Sequence, residues 1–254
     1  FNVGITDSEE LKSFVERKRE TGIYLSVLGF GRGNYNDELM QVLAQNGNGN
    51  AAYIDTLNEA RKVLVDEATS TLFPIAKDVK IQVEFNPQQV AEYRLIGYET
   101  RLLDREDFNN DKVDAGEIGA GHTVTAIYEL TPVGSAGQLV DPLRYGGKPA
   151  PAGNGEYAFV KLRYKLPGES ESKLISEPVT EANAKASTEA SFAAAVAGFG
   201  QILRGGQYTR IFSYDDVIAL AQANRGKDEF GYRGEFINLV RMAKTAQTLE
   251  PLNP

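Results

Sequence analysis

The sequence predicts an α/β segment, then an antiparallel β region, then a set of C-terminal helices. Three observations predict this. Between Ile23 and Val65 strand-like and helix-like patterns alternate, which is the mark of a parallel sheet covered by helices. From Lys77 onward the apolar period changes from three or four to two, as a half-buried antiparallel strand requires. After Pro178 the composition turns helical.

In the first region, Ile23–Phe30 is an apolar run rich in strand formers, stopped by Gly31-Arg32-Gly33-Asn34, and reads as a buried strand. Leu39, Met40, Leu43 and Ala44 follow at helical spacing, ended by the Gly/Asn run from Asn46 to Asn50. Ala51–Ile54 is a second short strand. Asp55-Thr56 then caps a helix with Leu57, Ala60, Leu64 and Ala68 on one stripe. Upstream, Thr6–Glu10 supplies capping hydroxyls and early acids for a polar covering helix, closed by Gly22.

In the second region, Val79, Ile81, Val83 and Phe85 alternate with Lys80, Gln82 and Glu84, and Asn86-Pro87 stops the strand. Further strands are expected at Glu92–Thr100, Thr123–Leu130 and Glu156–Leu166. In the last of these, Lys161, Arg163 and Lys165 are expected to point outward. The segments 103–121 and 131–155 read as loops. Four strands with long connections predict a β-sandwich-like domain over 75–254. Its helices are expected at Ser187–Arg204, from Ser213 to Asn224 and at Tyr232–Thr248.

Several of these stretches resemble a known family. Gly22–Gly31, then Asn34, Leu39 and Leu43-Ala44, then Gly47–Asp55, are similar to the closing half of a von Willebrand factor type A domain. Phe73–Pro87, Tyr93–Glu99 and Asp114–Val124 are similar to bacterial type A proteins that carry an additional C-terminal domain of unknown function. The resemblance implies a Rossmann-like fold for residues 1–74, with the sandwich completed by residues preceding the type A domain. It also implies that the chain, which opens on Phe1, is a C-terminal fragment lacking the first half of that domain.

The 254 residues suffice for two domains with their own cores. With 42% hydrophobic and 24% charged residues the proportions are globular, and no apolar run approaches a bilayer span. A formal charge of −8 argues against nucleic acid as a partner, because phosphate recognition along a polyanion needs a basic excess. The absence of cysteine excludes disulfides and thiolate chemistry, and a single histidine excludes a histidine-rich metal site.

Four features are candidate sites. Gly29-Phe30-Gly31-Arg32-Gly33 lies between a strand and a helix but lacks the dinucleotide spacing, so a tight turn is its reading. Asp107, Asn109, Asp111, Asp114 and Glu117 form a calcium-like run of oxygen ligands, yet the EF-hand positions for glycine, an apolar residue and glutamate hold Lys112, Asp114 and Ile118. An irregular calcium site and a solvated acidic loop both fit that run. His122 has no partners that complete a triad, so no catalytic residue is assigned. Tyr93, Tyr98, Tyr128, Tyr157 and Tyr164 fall on strand positions, and an exposed subset would mark a protein contact.

The resemblance implies a non-enzymatic, adhesion-type binding protein, exported or associated with the cell envelope. Its intact type A domain would hold a protein ligand through Mg²⁺. A scaffold module of a cell-envelope assembly is the alternative. The type A metal motif Asp-x-Ser-x-Ser is absent from this sequence, and Asp7, the nearest acid to the expected site, reads as a helix cap. No cofactor or adhesion-type metal site is therefore expected in the chain itself. The strand Ile23–Phe30, lacking its expected neighbour, predicts a homodimer through an unpaired sheet edge.

Overall fold

The computed structural model describes residues 7–248 apart from 32, 34, 69–72, 99–101, 142–154, 184 and 210. Arg32 and Asn34 of the expected turn, and most of the 131–155 excursion, thus lie outside the described residues. The chain forms two compact units. One comprises Phe1–Gln82, Leu103–Thr123 and Lys161–Ser176, and the other Val83–Leu102, Val124–Val160 and Glu177–Pro254. The expected boundary at residue 74 falls inside the first unit.

The first unit begins with α1 (Ser8–Glu20), β1 (Val27–Phe30), α2 (Asp37–Asn46), β2 (Ala51–Ile54) and α3 (Leu57–Arg61). Asp7 caps α1 by accepting the Glu10 N–H at 2.9 Å, and Asn36 and Thr56 cap α2 and α3 in the same way. β1 and β2 pair in parallel, Val27 opposite Ala51 and Phe30 opposite Ile54. Met40, Leu43 and Ala44 are the buried stripe of the intervening helix α2, and a Cβ on Gly29 of β1 would lie 2.9 Å from the Met40 sulfur.

β1 is shorter than the apolar run that predicts it. Its partner has only four residues, so the chain before Val27 bonds instead to the turn after α2, with the Leu25 N–H donating to the Gly47 carbonyl at 2.9 Å. Nor is it a buried strand, since Phe30 is 65% exposed and Ile23 is exposed as well. Two strands with a helix over them leave the remaining sheet surface uncovered among the described residues. The expected stripe on the third helix is likewise open: Leu57 is 85% exposed, and after Arg61 the helix passes into a π-helical turn at Lys62–Asp66. The wider turn shifts Leu64, which is exposed, off the stripe that 3.6-residue spacing predicts.

A four-stranded sheet has the order β5-β3-β7-β8, formed by Gly116–Gly119, Pro74–Phe85, Glu156–Lys165 and Lys173–Thr180. A separate antiparallel pair joins β4 (Val90–Ile96) to β6 (Ile127–Pro132). Two of these strands were not expected: β5 falls in the segment 103–121 that the sequence reads as a loop, and β8 in a stretch left unassigned. β5 has four residues, two of them glycine, and β8 carries Pro178, so neither shows the run of β-formers that marks a strand.

Three helices in the second unit, α4 (Thr188–Leu203), α5 (Tyr214–Ala223) and α6 (Tyr232–Thr248), enclose a core of Ala195, Phe199, Val217, Ala221, Ile237 and Val240. Phe199 meets Phe236 edge-on at 5.7 Å. Ser213 and Asp216 form a reciprocal capping box at the start of α5, and Asp228 accepts the Arg233 and Gly234 N–H groups at the start of α6. The expected C-terminal helices match these three within one residue at each end.

The turn between α2 and β2 generates a prediction. A Cβ on Gly49 would lie 2.0 Å from the Leu25 carbonyl oxygen, a backbone atom that cannot swing away. Gly49→Ala is expected to lower unfolding free energy by about 2 kcal/mol or more. Gly116→Ala, with open space around its Cβ position, is expected to change it by less than about 0.5 kcal/mol. Urea denaturation of the two variants measures the difference, and equal stabilities would refute the close approach.

Candidate functional site

The densest group of ionisable side chains lies in the first unit, around β3. The ladder between β3 and β5 loses register between Ala76 and Val79, and Asp78 has a positive φ of 49°. Beyond this bulge the polar side of β3 meets the acidic loop at Lys80. Lys80, expected among the outward polar residues, is therefore only 2% exposed, while Glu84 of the same side stays exposed and Ile81 of the expected apolar side is 44% exposed. A buried ammonium needs acceptors. Lys80 finds them in the backbone carbonyls of Asp107, at 3.1 Å, and of Asn110. Burial pushes its pKa down, opposed by the charges of Asp78 and Asp111.

Those carbonyls belong to the acidic loop, whose short 3₁₀ helix spans Arg105–Asn109. Arg163 donates to the Asn109 side chain at 3.0 Å and forms an ion pair with Asp111 at 3.2 Å. Asp111 also accepts the Ser172 N–H at 3.2 Å, and its pKa is held down first by the Ser172 hydrogen bonds and then by the Arg163 and Lys165 charges. Lys165 bridges the Asp78 carboxylate at 2.7 Å and the Asp111 carbonyl at 2.6 Å. Asp114 pairs with Arg19 of α1 at 2.9 Å. Arg163 and Lys165 were expected to face outward; both are half-buried instead, because the acidic loop lies across their side of β7.

Glu117, on β5, differs from the rest. Its Oε1 accepts from the Asn48 side chain at 3.1 Å, but its Oε2 is buried with no hydrogen-bond partner. Burial raises its pKa to about 7, with Asp78 and Asp114 adding to the rise and Lys77 and the Asn48 bond opposing it. A proton is held at this carboxyl near neutrality.

The five oxygen-rich residues of the calcium-like run are therefore distributed among separate partners: Lys80 for the Asp107 carbonyl, Arg163 for Asn109 and Asp111, Arg19 for Asp114 and Asn48 for Glu117. Among the described residues, no three acidic or histidine side chains are grouped to hold a metal ion. His122 is exposed, and only its backbone N–H is engaged, donating to the Gly119 carbonyl at 3.1 Å. In the second unit, Tyr93 and Tyr128 pack against Phe85, at 4.2 and 5.2 Å between ring centres, with Tyr93 exposed. Tyr98 donates to the Thr125 carbonyl at 2.9 Å, and Tyr157 and Tyr164 are half-buried. Gly31 and Gly33 have φ of 80° and 123°, which accounts for both glycines by the turn itself. Lys80, Arg163 and Lys165, which organise the loop, stood in the sequence as the polar half of alternating patterns, and Ser172 carried no sequence mark.

A mixed α/β chain with several sheets and C-terminal helices, whose charged cluster is largely neutralised from within, is the class defined by fold and site. Residues 70–246 match the family described as uncharacterized protein YfbK, C-terminal, and the chain belongs to that family. It is 46% identical over 246 residues to the uncharacterized protein YfbK of Escherichia coli (strain K12), an alignment covering 96% of this chain and 43% of that protein. The chain thus spans less than half the length of the curated relative it matches. No solved structure matches it.

Two outcomes are expected from this cluster. Lys80→Met leaves the carbonyls of Asp107 and Asn110 without their buried donor and is expected to cost about 2–4 kcal/mol of stability in urea unfolding; an unchanged midpoint would exclude the ammonium as the loop's anchor. Glu117→Gln tests the unpartnered carboxyl. Because the folded pKa of about 7 lies above the ordinary 4.5, the stability contributed by protonated Glu117 is complete below pH 4.5 and is lost as pH rises to about 7. The glutamine variant is expected to lose that part of the pH dependence and, near pH 8, to be more stable than the parent by on the order of 1 kcal/mol after solvent screening. Identical pH profiles for parent and variant would contradict the assignment.

Proposed function

We propose that this chain is the C-terminal part of a non-enzymatic binding protein whose residues 1–74 close a von Willebrand type A, Rossmann-like domain. The observation that carries the reading is the parallel pair Val27–Phe30 and Ala51–Ile54 joined through α2, with Met40, Leu43 and Ala44 buried. Parallel strands linked by a helix belong to sheets covered on both faces. The exposed Phe30, Leu57 and Val65 are the apolar positions that a larger sheet and its helices would cover. The family match begins at residue 70, which supports treating the preceding segment as a different module.

In the intact protein, the type A domain holds a protein ligand through a bridging Mg²⁺, an ion suited to hydroxyl and carboxylate ligands. The Asp-x-Ser-x-Ser motif that supplies those ligands is not in this chain. An exported or envelope-associated location belongs to the same reading, as does self-association through the open edge of β1. No helix among the described residues is long and apolar enough to cross a membrane. A scaffold role within an envelope assembly is favoured by a separate observation, the exposed Leu174 and Ile175 on the edge strand β8.

The test is a pull-down with the full-length Escherichia coli relative, in Mg²⁺ and in EDTA, alongside this chain alone. Partners that are retained by the full-length protein only in Mg²⁺, and are not retained by this chain, are the expected result. Partners held equally in EDTA and by this chain alone would replace the metal-bridged reading with the scaffold one.

A further inference from the structure

The helical part of the second unit has five cationic side chains between residues 214 and 248: Arg225, Lys227, Arg233, Arg241 and Lys244. Three have a carboxylate partner. Lys227 pairs with Glu229, Arg233 with Glu189 and Lys244 with Asp215. Arg225 and Arg241 form no ion pair within 4 Å among the described residues, although the Arg225 charge acts on the Asp228 carboxylate, and both line one cavity of about 350 Å³.

The cavity is built by helix geometry. Gly234, Ile237, Asn238 and Arg241 stand at i, i+3, i+4 and i+7 on α6 and so share one face. Gln222 from α5 and Arg225, just beyond its end, form the other wall. Gly234 contributes no side chain, and the group nearest its Cβ position is the Asp228 carboxylate at 3.4 Å. Its N–H is already taken by Asp228, so the end of the helix does not supply the charge of the site. Arg241 is oriented by the Asn238 side-chain oxygen at 3.0 Å, and Ile237 provides an apolar floor.

We propose that this cavity binds a phosphate monoester. Two guanidinium forks offer paired N–H donors that match phosphate oxygens, and their two charges balance the nearly dianionic ester at neutral pH. A single carboxylate would neutralise only one of them. The volume exceeds that of a phosphoryl group alone, so the ester's organic part lies against Ile237, with the Gln222 and Asn238 amides at the rim. A polyanionic strand is disfavoured by the acidic balance of the chain as a whole.

The experiment is calorimetric titration of the 254-residue chain with phenyl phosphate, a phosphoserine peptide and benzoate at constant ionic strength, repeated for Arg225→Ala and Arg241→Ala. Both arginines are exposed and outside the helical core, so each variant is expected to keep the parent's thermal midpoint. Saturable one-to-one binding of phenyl phosphate or the phosphopeptide, weakened about tenfold or more in each variant, is the expected outcome. The tighter of the two identifies whether the phosphoryl group comes from a small molecule or a protein. No saturation by either up to about 10 mM, benzoate binding as tightly, or affinity unchanged in both variants would overturn the proposal.

Discussion

The charged half of the first unit depends on a buried ammonium that water cannot reach. Stripping a lysine of its hydration is tolerable only where fixed oxygens replace it. Lys80 obtains them from two backbone carbonyls, Asp107 and Asn110, and so fixes the acidic loop at main-chain level rather than through its side chains. With that segment held, Asp111 comes within reach of Arg163 and Ser172, and Lys165 spans from Asp78 to the Asp111 carbonyl. Asp78, which has a positive φ, lies on the same side of β3 as Lys80, and its other oxygen accepts the Ala115 N–H at 3.3 Å. Strand, lysine and loop are thus joined at several points on one side of the sheet.

This coupling explains what was and was not legible in the sequence. The helices were legible because their signals are local: a capping side chain at Asp7, Thr56 or Ser213, an apolar stripe, and a glycine or asparagine at the end. The alternating pattern of β3 and β7 was legible as strand for the same reason. That the polar side of β3 is covered at Lys80 was not, because the loop that covers it is remote in sequence. The outward assignment of Arg163 and Lys165 failed because the polar side of β7 meets a loop instead of solvent. Nothing in a single strand's alternation records what lies across it.

The candidate site shows a similar division. The oxygen-rich run at 107–117 was visible as spacing, and its departures from an EF-hand were visible too. Its partners were not, since Lys80, Arg163 and Arg19 are remote in sequence and each looks like an ordinary surface cation. Glu117 was visible only as the last member of that run, and nothing in the sequence marked its burial. Its raised pKa arises from burial on a four-residue strand that the pattern did not reveal, together with the acids on either side of it.

Charge accounting separates the informative residues from the rest. With 27 lysines and arginines against 35 aspartates and glutamates, acids are in surplus, so an exposed acid without a partner says little about function. A cation without one says more, because carboxylates are abundant and a surface pairing of even modest worth is readily formed. In the helical bundle, Arg233 reaches Glu189 on another helix and Lys244 reaches Asp215, so partners are available at that distance. Arg225 and Arg241 depart from this pattern: neither forms an ion pair within 4 Å among the described residues, the Arg225 charge reaches only Asp228, and both line a single cavity, so the surplus of acid that disfavours a broad polyanion gives these two guanidinium groups their meaning.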